Sequence, residues 1–275
     1  MNEAGFKKLL LGAGIALILL FYLSPVIWMA VVSLSKNADF LSRGRIEITC
    51  ENFKNIFRER TLYFPFYLKN SLIVGFFSAL FATLFGGLAA YILTRTDSRL
   101  KKILMVGVLA VSMFPQISLA GYLFRMMTSA GLINTYTALI LPYISWCLPF
   151  ALWILMGYFS QIPRDIDAAA LIDGADRFRA FSRIIVPLAL PGLLSTFLLV
   201  FIFAFNEFLF ALMLTTDHNA RTVPVGISLF EGLHGELPWG NIMAASLISA
   251  LPLILLALFF QRYIFKGLSG GAVKQ

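Results

Sequence analysis

The sequence predicts an all-α fold: a polytopic membrane protein with six transmembrane helices and a cytoplasmic loop between helices 4 and 5. Three observations support this class. Of the 275 residues, 59% are hydrophobic and 13% are charged, whereas a soluble domain usually carries about 25% charged residues. Six stretches of at least 20 residues are almost free of charge. Between the fourth and fifth stretches, eight of the twenty residues from 164 to 183 are charged, which excludes this segment from the bilayer core.

The six predicted spans follow from the length that a helix needs to cross the hydrocarbon core, about 20 mostly apolar residues. They are Leu9–Leu34, Ser71–Thr94, Ile103–Phe124, Leu132–Ser160, Leu188–Thr216 and Ile242–Gln261. The first is longer than the roughly 7–15 apolar residues of a signal peptide, so we expect it to be retained. No low-complexity linker or strong repeat divides the chain, which predicts one transmembrane domain over residues 1–275 with a cytoplasmic loop at 161–187.

The distribution of Lys and Arg predicts the side that each loop faces. With both termini in the cytoplasm, the inner segments hold 13 of these residues and the outer segments hold nine. Cytoplasmic loops of membrane proteins carry the excess of positive charge, so the counts favour cytoplasmic termini. The outer loop Ser35–Asn70 is long enough for a short helix near Glu51–Phe57.

Residue types also exclude several classes of function. The net charge of +8 is explained by the basic loops of a membrane protein, so no nucleic-acid partner is expected. Cys50, Cys147, His218 and His234 are too few to build a metal site. The chain lacks the GxxxxGK(S/T) phosphate loop, which excludes it as an ATPase.

The charged segment has the pattern of two short helices joined at a bend. Pro163 suits the first turn of a helix. Asp165–Ile172 is rich in alanine and carries acids near its N-terminal end, where the helix dipole favours them. Gly174 is the expected left-handed stop, and Asp176 is placed to cap a second helix.

In that second helix, Arg177–Ile185, the side chains of Phe178, Phe181 and Ile185 recur at helical spacing and predict one apolar face. From the residues alone, two interpretations stay open. The segment is a helix that docks in the groove of a partner protein, or it is an interfacial hairpin that only connects two spans.

The stretch Ala168–Gly192, AAALIDGADRFRAFSRIIVPLALPG, resembles the EAA loop of ABC importer permeases. That family pattern is E-A-A, then D-G-A, then a phenylalanine, then I-x-x-P and a further proline. The matching residues are Ala169, Ala170, Asp173, Gly174, Ala175, Phe181, Ile184, Pro187 and Pro191. The family glutamate falls at Ala168, and the nearest acid is Asp167. Either Asp167 replaces that glutamate in its contact with an arginine of the ATPase, or the contact is missing.

Three further stretches narrow the resemblance to the maltose-type sugar permeases. They are Phe205–Leu214 (FNEFLFALML), Thr222–Phe230 (TVPVGISLF) and the tail Gly267–Gln275 (GLSGGAVKQ). The resemblance covers most of the chain and favours the smaller partner of the permease heterodimer.

The resemblance implies a function and a set of partners. It implies the permease subunit of an ABC importer that moves a sugar, oligosaccharide or polyol by ATP-driven alternating access in the prokaryotic cytoplasmic membrane. The implied partners are a second permease, two ABC ATPase subunits, an extracytoplasmic solute-binding protein and the lipid bilayer. The chain is expected to be no enzyme and to bind no cofactor, because the ATPase subunits bind ATP and Mg²⁺.

By the same resemblance, Asp165–Ile185 is the coupling helix that transmits the motion of the ATPases. The residues expected to couple to the ATPase are Asp167, Ala168, Ala169, Ala170, Asp173, Gly174, Ala175, Phe178 and Phe181.

Glu207 is the one ionisable residue within the predicted spans, and an intramembrane carboxylate usually faces a cavity or a partner. Together with Asn206 it is a candidate for lining the substrate pathway; the alternative is a packing contact that locks helices together. Two rival functions stay open: an ABC permease for glycerol-phosphate or another small solute, and an ion-coupled secondary carrier. The carrier is disfavoured because it needs repeats and paired intramembrane charges.

Overall fold

The computed structural model describes residues 3–36, 47–59, 61–96, 99–230 and 237–272. Regular structure in these residues is helical, apart from one isolated bridge between Ser35 and Ile48. The all-α prediction is therefore confirmed. The helices are α1 (Glu3–Ser33), α2 (Glu51–Arg58), α3 (Phe64–Arg95), α4 (Arg99–Ser112), α5 (Gln116–Ser129), α6 (Tyr136–Phe159), α7 (Arg164–Ile172), α8 (Arg177–Ala180), α9 (Val186–Phe205), α10 (Leu209–Leu214), α11 (Val223–Ser228) and α12 (Trp239–Ala272).

The contacts of the chain divide it into two compact units. One comprises Met1–Pro65 with Ile227–Leu251, and the other comprises Phe66–Gly226 with Pro252–Gln275. In the first unit, the amide of Asn52 donates to the backbone carbonyls of Ser33 and Ser35, at 2.8 and 2.9 Å. These bonds fasten α2 to the end of α1, and α2 confirms the short helix predicted near Glu51–Phe57. The single domain predicted over residues 1–275 stays a prediction.

The described helices include five that are long and apolar enough to span a membrane, or six if one bent pair counts as a span. The bent pair is α4 and α5, which meet at 87° where a single span, 103–124, is predicted. Pro115 precedes α5 with an extended backbone. Proline has no N–H for a helical hydrogen bond and clashes with the preceding turn, so one helix ends here and another begins.

The fifth span differs from the sequence prediction at both ends. A single helix runs from Arg177 to Phe205, so it begins eleven residues before the predicted Leu188. It contains α8, a π-helical turn at Phe181–Ile185, and α9. The predicted second short helix is therefore the N-terminal end of this span. At its other end the helix stops at Phe205, and residues predicted to continue it form the separate helix α10.

Two buried clusters hold the second unit together. One joins α3, α5, α6, α9, α10 and α11 around Tyr143 and Leu139. The other joins α3, α6 and α9 around Leu155, Phe159 and Ile185. Glycine allows close approach at one contact between α6 and α9: a Cβ atom on Gly192 would lie 2.4 Å from the ring of Tyr158.

We expect Gly192→Ala to destabilise the protein, because its methyl group must displace the Tyr158 ring or separate the two helices. Overpacking of this kind costs about 1–3 kcal/mol. Gly157→Ala in α6 is the matched control, since a Cβ there meets nothing within 4 Å. It should stabilise the helix by about 0.5–1 kcal/mol. Thermal unfolding of both variants in detergent measures the difference, and equal midpoints would contradict the close helix contact.

Candidate functional site

The charged segment folds into a helix, a glycine bend and a capped second helix. Pro163 directly precedes α7, and Gly174 has a φ of +86°, the left-handed conformation expected for a helix stop. The backbone N–H of Ala175 donates to the Ala170 carbonyl at 3.0 Å and closes the end of α7. The Asp176 carboxylate accepts from the backbone N–H of Arg179 at 2.7 Å. The predicted bend and the predicted cap are both confirmed.

On both sides of the bend, the segment exposes apolar side chains. Ile172 is 86% exposed and Phe178 is 75% exposed, and Leu171 beside them is also exposed. Apolar side chains this open are typical of a surface that a partner covers. Among the predicted coupling residues, Ala168, Ala169, Asp173 and Gly174 are exposed, Ala175 is half-buried, and Ala170 is buried.

Phe181 does not share the exposed surface of Phe178. Its ring centroid lies 4.7 Å from that of Tyr91 and 6.5 Å from that of Phe159. Phe181 lies one turn further along the helix towards the span, where α3 and α6 are close enough to cover it. The sequence places both rings on one partner-binding face. The structure separates them: Phe178 faces outward and Phe181 packs inside the chain.

Asp167 also turns towards its own chain. Its Oδ2 lies 2.8 Å from Nη2 of Arg95, and its Oδ1 accepts a hydrogen bond of 2.5 Å from the Tyr91 hydroxyl. Both side chains of the ion pair are 16% exposed. The sequence left open whether Asp167 meets an ATPase arginine; within this chain its arginine partner is Arg95. Arg95, at the end of α3, supplies the positive charge from within the chain.

The same arginine fastens the turn between α6 and α7. Nη1 of Arg95 donates to the backbone carbonyls of Phe159 and Ile162, at 3.4 and 3.1 Å. In the reverse direction, Arg164 of α7 donates to the Thr94 carbonyl at 2.9 Å. Cations are favoured near the unpaired carbonyls at helix C-termini. The C-terminal end of α3 is thus interlocked with α7.

Glu207 lies at the break between α9 and α10 and is buried, with 7% of its surface exposed. It accepts from the Tyr143 hydroxyl at 2.6 Å and from the backbone N–H groups of Phe210 and Ala211 at 2.9 and 3.2 Å. Two of these donors are orphan N–H groups in the first turn of α10, which need an acceptor when buried. The geometry is that of a contact locking α6 to the start of α10, one of the two predicted alternatives.

Two adjoining cavities lie beside this break. The first, about 430 Å³, is lined by Gln116, Ile202, Phe203, Asn206, Glu207, Phe208 and Leu209. The second, about 570 Å³, is lined by Ser112, Trp146, Cys147, Pro149, Phe150, Trp153, Leu199, Ile202 and Phe203. The two cavities share Ile202 and Phe203, so an aromatic surface continues into an amide-lined one. Among the residues that the structure describes, neither lining contains Lys or Arg. The side chains of α6 that form the aromatic surface recur at helical spacing, which also suits ordinary packing and gave no distinctive signal in the sequence.

The N-terminal part of α3 holds the segment that follows α10. The amide of Asn70, 1% exposed, donates to the carbonyls of His218 and Arg221 at 2.9 and 2.8 Å. Its oxygen accepts from the Tyr136 hydroxyl at 2.7 Å. The hydroxyl of Ser71 accepts from the Val223 N–H at 2.8 Å. Sequence reasoning missed Asn70, which it assigned to a loop end.

Asn134 also holds the segment that follows α10. Its oxygen accepts from the N–H groups of Thr216 and Asp217, and its amide donates to the Asp217 carboxylate at 2.8 Å. The hydrogen bonds that the Asp217 carboxylate accepts from the Asn134 amide and from the Asn219 N–H lower the pKa of Asp217. The predicted C-terminal tail is helical to Ala272, and its last three residues lie outside the described part of the chain.

Most of the chain matches a known protein family. Residues 82–270 match the family model described as "Binding-protein-dependent transport system inner membrane component". The chain is 51% identical over 276 residues, all of this chain and 99% of the relative, to the trehalose/maltose transport system permease protein MalG of Thermococcus litoralis. It is 40% identical over 258 residues to the trehalose transport system permease protein SugB of Mycobacterium tuberculosis, covering 92% of this chain and 93% of that protein.

Solved structures agree on the fold. A chain of a bacterial ABC transporter involved in the import of alginate superposes with a TM-score of 0.79, over 96% of this chain and 98% of that one, at 19% identity. This likeness shows the fold alone. It supports the all-helical membrane fold.

We expect Glu207→Gln to lower stability by about 1–3 kcal/mol, because the amide offers one acceptor oxygen where three donors converge. Tyr143→Phe removes only one donor and should cost about 0.5–1.5 kcal/mol. Thermal unfolding in detergent ranks the two variants, with Ser145→Ala as a control, since that exposed hydroxyl bonds only its own helix. A raised KM for uptake in Glu207→Gln at unchanged stability would contradict the locking role.

Proposed function

Because the chain belongs to the inner membrane components of binding-protein-dependent transport systems, we propose that it couples ATP hydrolysis by separate subunits to carbohydrate uptake through the segment Arg164–Ile185. Family membership makes the chain a multi-pass inner membrane protein and the permease of an ABC importer. It is a transport component and not the catalytic subunit, and the predicted recognition of the maltose-type family, smaller partner, is confirmed.

The observation that carries this proposal is the exposed apolar end of a rigidly held cytoplasmic segment. Leu171, Ile172 and Phe178 project from a bend that is fixed by Gly174 and Asp176. Beyond Phe178 the helix continues without interruption into the fifth span. A displacement of the docked surface therefore reaches the membrane through a continuous helix, which suits rigid-body switching between two states.

The coupling surface is narrower than the sequence suggested. Asp167, Ala170 and Phe181 lie against the chain itself, whereas Ala168, Ala169, Asp173 and Phe178 stay available to a partner. Since Asp167 is held by Arg95, we favour the alternative in which the family's glutamate contact is missing here. Docking then depends on apolar contact at the exposed residues.

A carbohydrate is the substrate class favoured by the relatives and by the cavities. Named relatives transport trehalose or maltose, and one at 35% identity is a sulfoquinovosyl glycerol transport system permease of Agrobacterium fabrum. Aromatic rings beside an amide suit sugars, which offer both apolar ring faces and hydroxyl groups. Asn206 retains an acceptor oxygen there, because its amide nitrogen donates to the Ile202 carbonyl. The absence of Lys and Arg from both cavity linings favours a neutral sugar over glycerol-phosphate.

The proposed assembly contains this chain, a second permease, two ATPase subunits that bind ATP and Mg²⁺, and an extracytoplasmic solute-binding protein. A transporter complexed with a substrate-bound periplasmic protein is among the solved structures of this fold. Both termini are placed in the cytoplasm, which puts Arg164–Ile185 on the ATPase side.

Disulfide crosslinking tests the docking. Asp173→Cys is preferred to a cysteine at Gly174, because the φ of +86° there strains any L side chain. It is made in a chain with Cys50→Ser and Cys147→Ala and paired with a cysteine in the groove of the ATPase. We expect a crosslink whose yield changes with ATP. No crosslink in an assembled complex would return the segment to an interfacial hairpin.

Two phenylalanine variants should separate docking from folding. Phe178→Ala should weaken binding of the ATPase subunits while leaving thermal stability nearly unchanged, because the ring is 75% exposed. Phe181→Ala should lower stability by up to about 3 kcal/mol, because it removes a half-buried ring that packs against Tyr91 and Phe159. Co-purification of the ATPase and thermal unfolding measure the two effects. The reverse ranking would contradict this division of the two rings.

Transport assays in proteoliposomes test the substrate class. The complex with its binding protein should take up labelled trehalose or maltose, and a tenfold excess of glycerol-phosphate should not compete. Competition by glycerol-phosphate, with no uptake of either disaccharide, would favour the alternative importer. Uptake that needs an ion gradient and no ATP would support the secondary carrier.

A further inference from the structure

Helix α3 carries a fastening at each end, both within the second compact unit. At the cytoplasmic end, Arg95 and Tyr91 hold Asp167 of α7, and Arg164 of α7 donates to the carbonyl of Thr94. The Tyr91 ring also contacts Phe181, at 4.7 Å between centroids. The C-terminal end of α3 thus contacts the coupling segment both before and after its bend.

At the outer end, Asn70 and Ser71 hold the segment that follows α10. Three hydrogen bonds of 2.8–2.9 Å join these two residues to the backbone of His218, Arg221 and Val223. Asn70 is 1% exposed and uses its oxygen as well, as acceptor of the Tyr136 hydroxyl. The three bonds to residues 218, 221 and 223 all involve backbone groups, so the position of this segment is fixed regardless of its side chains.

Between the two fastenings, α3 has the features of a stiff rod. It is a single helix of 32 residues, and Asn70 and Arg95 are about 38 Å apart along its axis at 1.5 Å per residue. Sharp kinks in helices arise mainly at proline, at Gly/Ser pairs and at π-bulges. After Pro65 in its first turn, α3 contains no proline, whereas α1, α6, α9 and α12 each contain at least one internal proline. Its Gly86–Gly87 pair is packed against α6, where a Cβ on Gly86 would lie 3.1 Å from that of Ala151.

We propose that α3 is a strut that links the coupling segment in the cytoplasm to the outer segment 216–223, so that each side of the membrane senses the state of the other. This inference rests on the proposed function, in which the coupling segment meets the ATPase and the outer loops meet the binding protein. Arg95, Tyr91 and Asp167 form the inner joint, and Asn70 with Ser71 forms the outer joint. All five are positioning residues.

The strut gives the two sites a reciprocal relation. If docking of the binding protein favours one position of α3, that preference is transmitted to the ATPases through α7. Thermodynamic linkage then requires that ATP-driven movement of α7 changes the affinity for the binding protein by the same factor. The partly buried ion pair is suited to this task, because removing either partner leaves an uncompensated charge.

The test uses the complete complex in proteoliposomes: both permeases, the ATPases and the sugar-loaded binding protein. The readouts are the fold stimulation of ATP hydrolysis by the binding protein and the sugar molecules transported per ATP. We expect Arg95→Gln and Asn70→Ala each to reduce the stimulation at least about fivefold, the lower range of allosteric coupling. Thr96→Ala, one residue past the end of α3, is the matched control: its exposed hydroxyl donates only to the Ile92 carbonyl of that helix, and it should leave the stimulation unchanged.

A double variant distinguishes a strut from two separate structural roles. If the joints act in series, Arg95→Gln with Asn70→Ala should be no worse than the more severe single variant. Losses that multiply would indicate independent routes and overturn the proposal. The swap Arg95→Asp with Asp167→Arg should recover part of the stimulation that either change alone removes, because it restores opposite charges.

Milder variants keep the test informative if the complex fails to assemble. Tyr91→Phe and Tyr136→Phe each remove one hydrogen bond at the inner and outer joint and should reduce stimulation by smaller factors. Wild-type stimulation retained by every assembled joint variant would overturn the strut. A wild-type complex that the binding protein does not stimulate would instead overturn the proposed function.

Discussion

Within a bilayer core there is no water to satisfy a free backbone N–H or C=O group, so every interruption of a helix needs a substitute partner from the protein itself. Glu207 meets that need at the break between α9 and α10, where it accepts from two backbone N–H groups and from Tyr143. The end of α10 is satisfied in turn, because the Leu214 carbonyl accepts from the N–H of Asn134. Because these replacement hydrogen bonds satisfy the backbone, the polypeptide can leave the helix, turn and place the ordered segment after α10 against α3.

Local signals in the sequence were sufficient for much of the coupling segment. Gly174 and Asp176 act through their own backbone or that of residues a few positions away, so their roles could be predicted without knowledge of the fold. The apolar lengths likewise predicted the helices. The break at Pro115 was available in the sequence as well, but the apolar run across it favoured a single span.

Orientation of side chains could not be predicted in the same way. Whether Asp167 faces a partner or its own chain depends on Arg95, which is 72 residues away, and Phe181 is covered because α3 and α6 lie beside it. Helical periodicity describes one helix and says nothing about which neighbour reaches which turn. Asn70 shows the same limit, since an amide at the end of an apolar stretch looks like a loop residue until its carbonyl partners are known.

The described lining of both cavities contains no cationic side chain, which has an energetic consequence for transport of the neutral sugar proposed above. The carboxylate of Glu207 is the only one in the predicted spans, and it is committed to holding helices together. A neutral sugar that passes along such a surface carries no charge through the transmembrane potential, which is worth about 2.3 kcal/mol per elementary charge for each 100 mV. A cell that loses its membrane potential but retains ATP would therefore keep the full driving force for uptake. The free energy of ATP hydrolysis, and not the membrane voltage, would then limit how far the sugar accumulates.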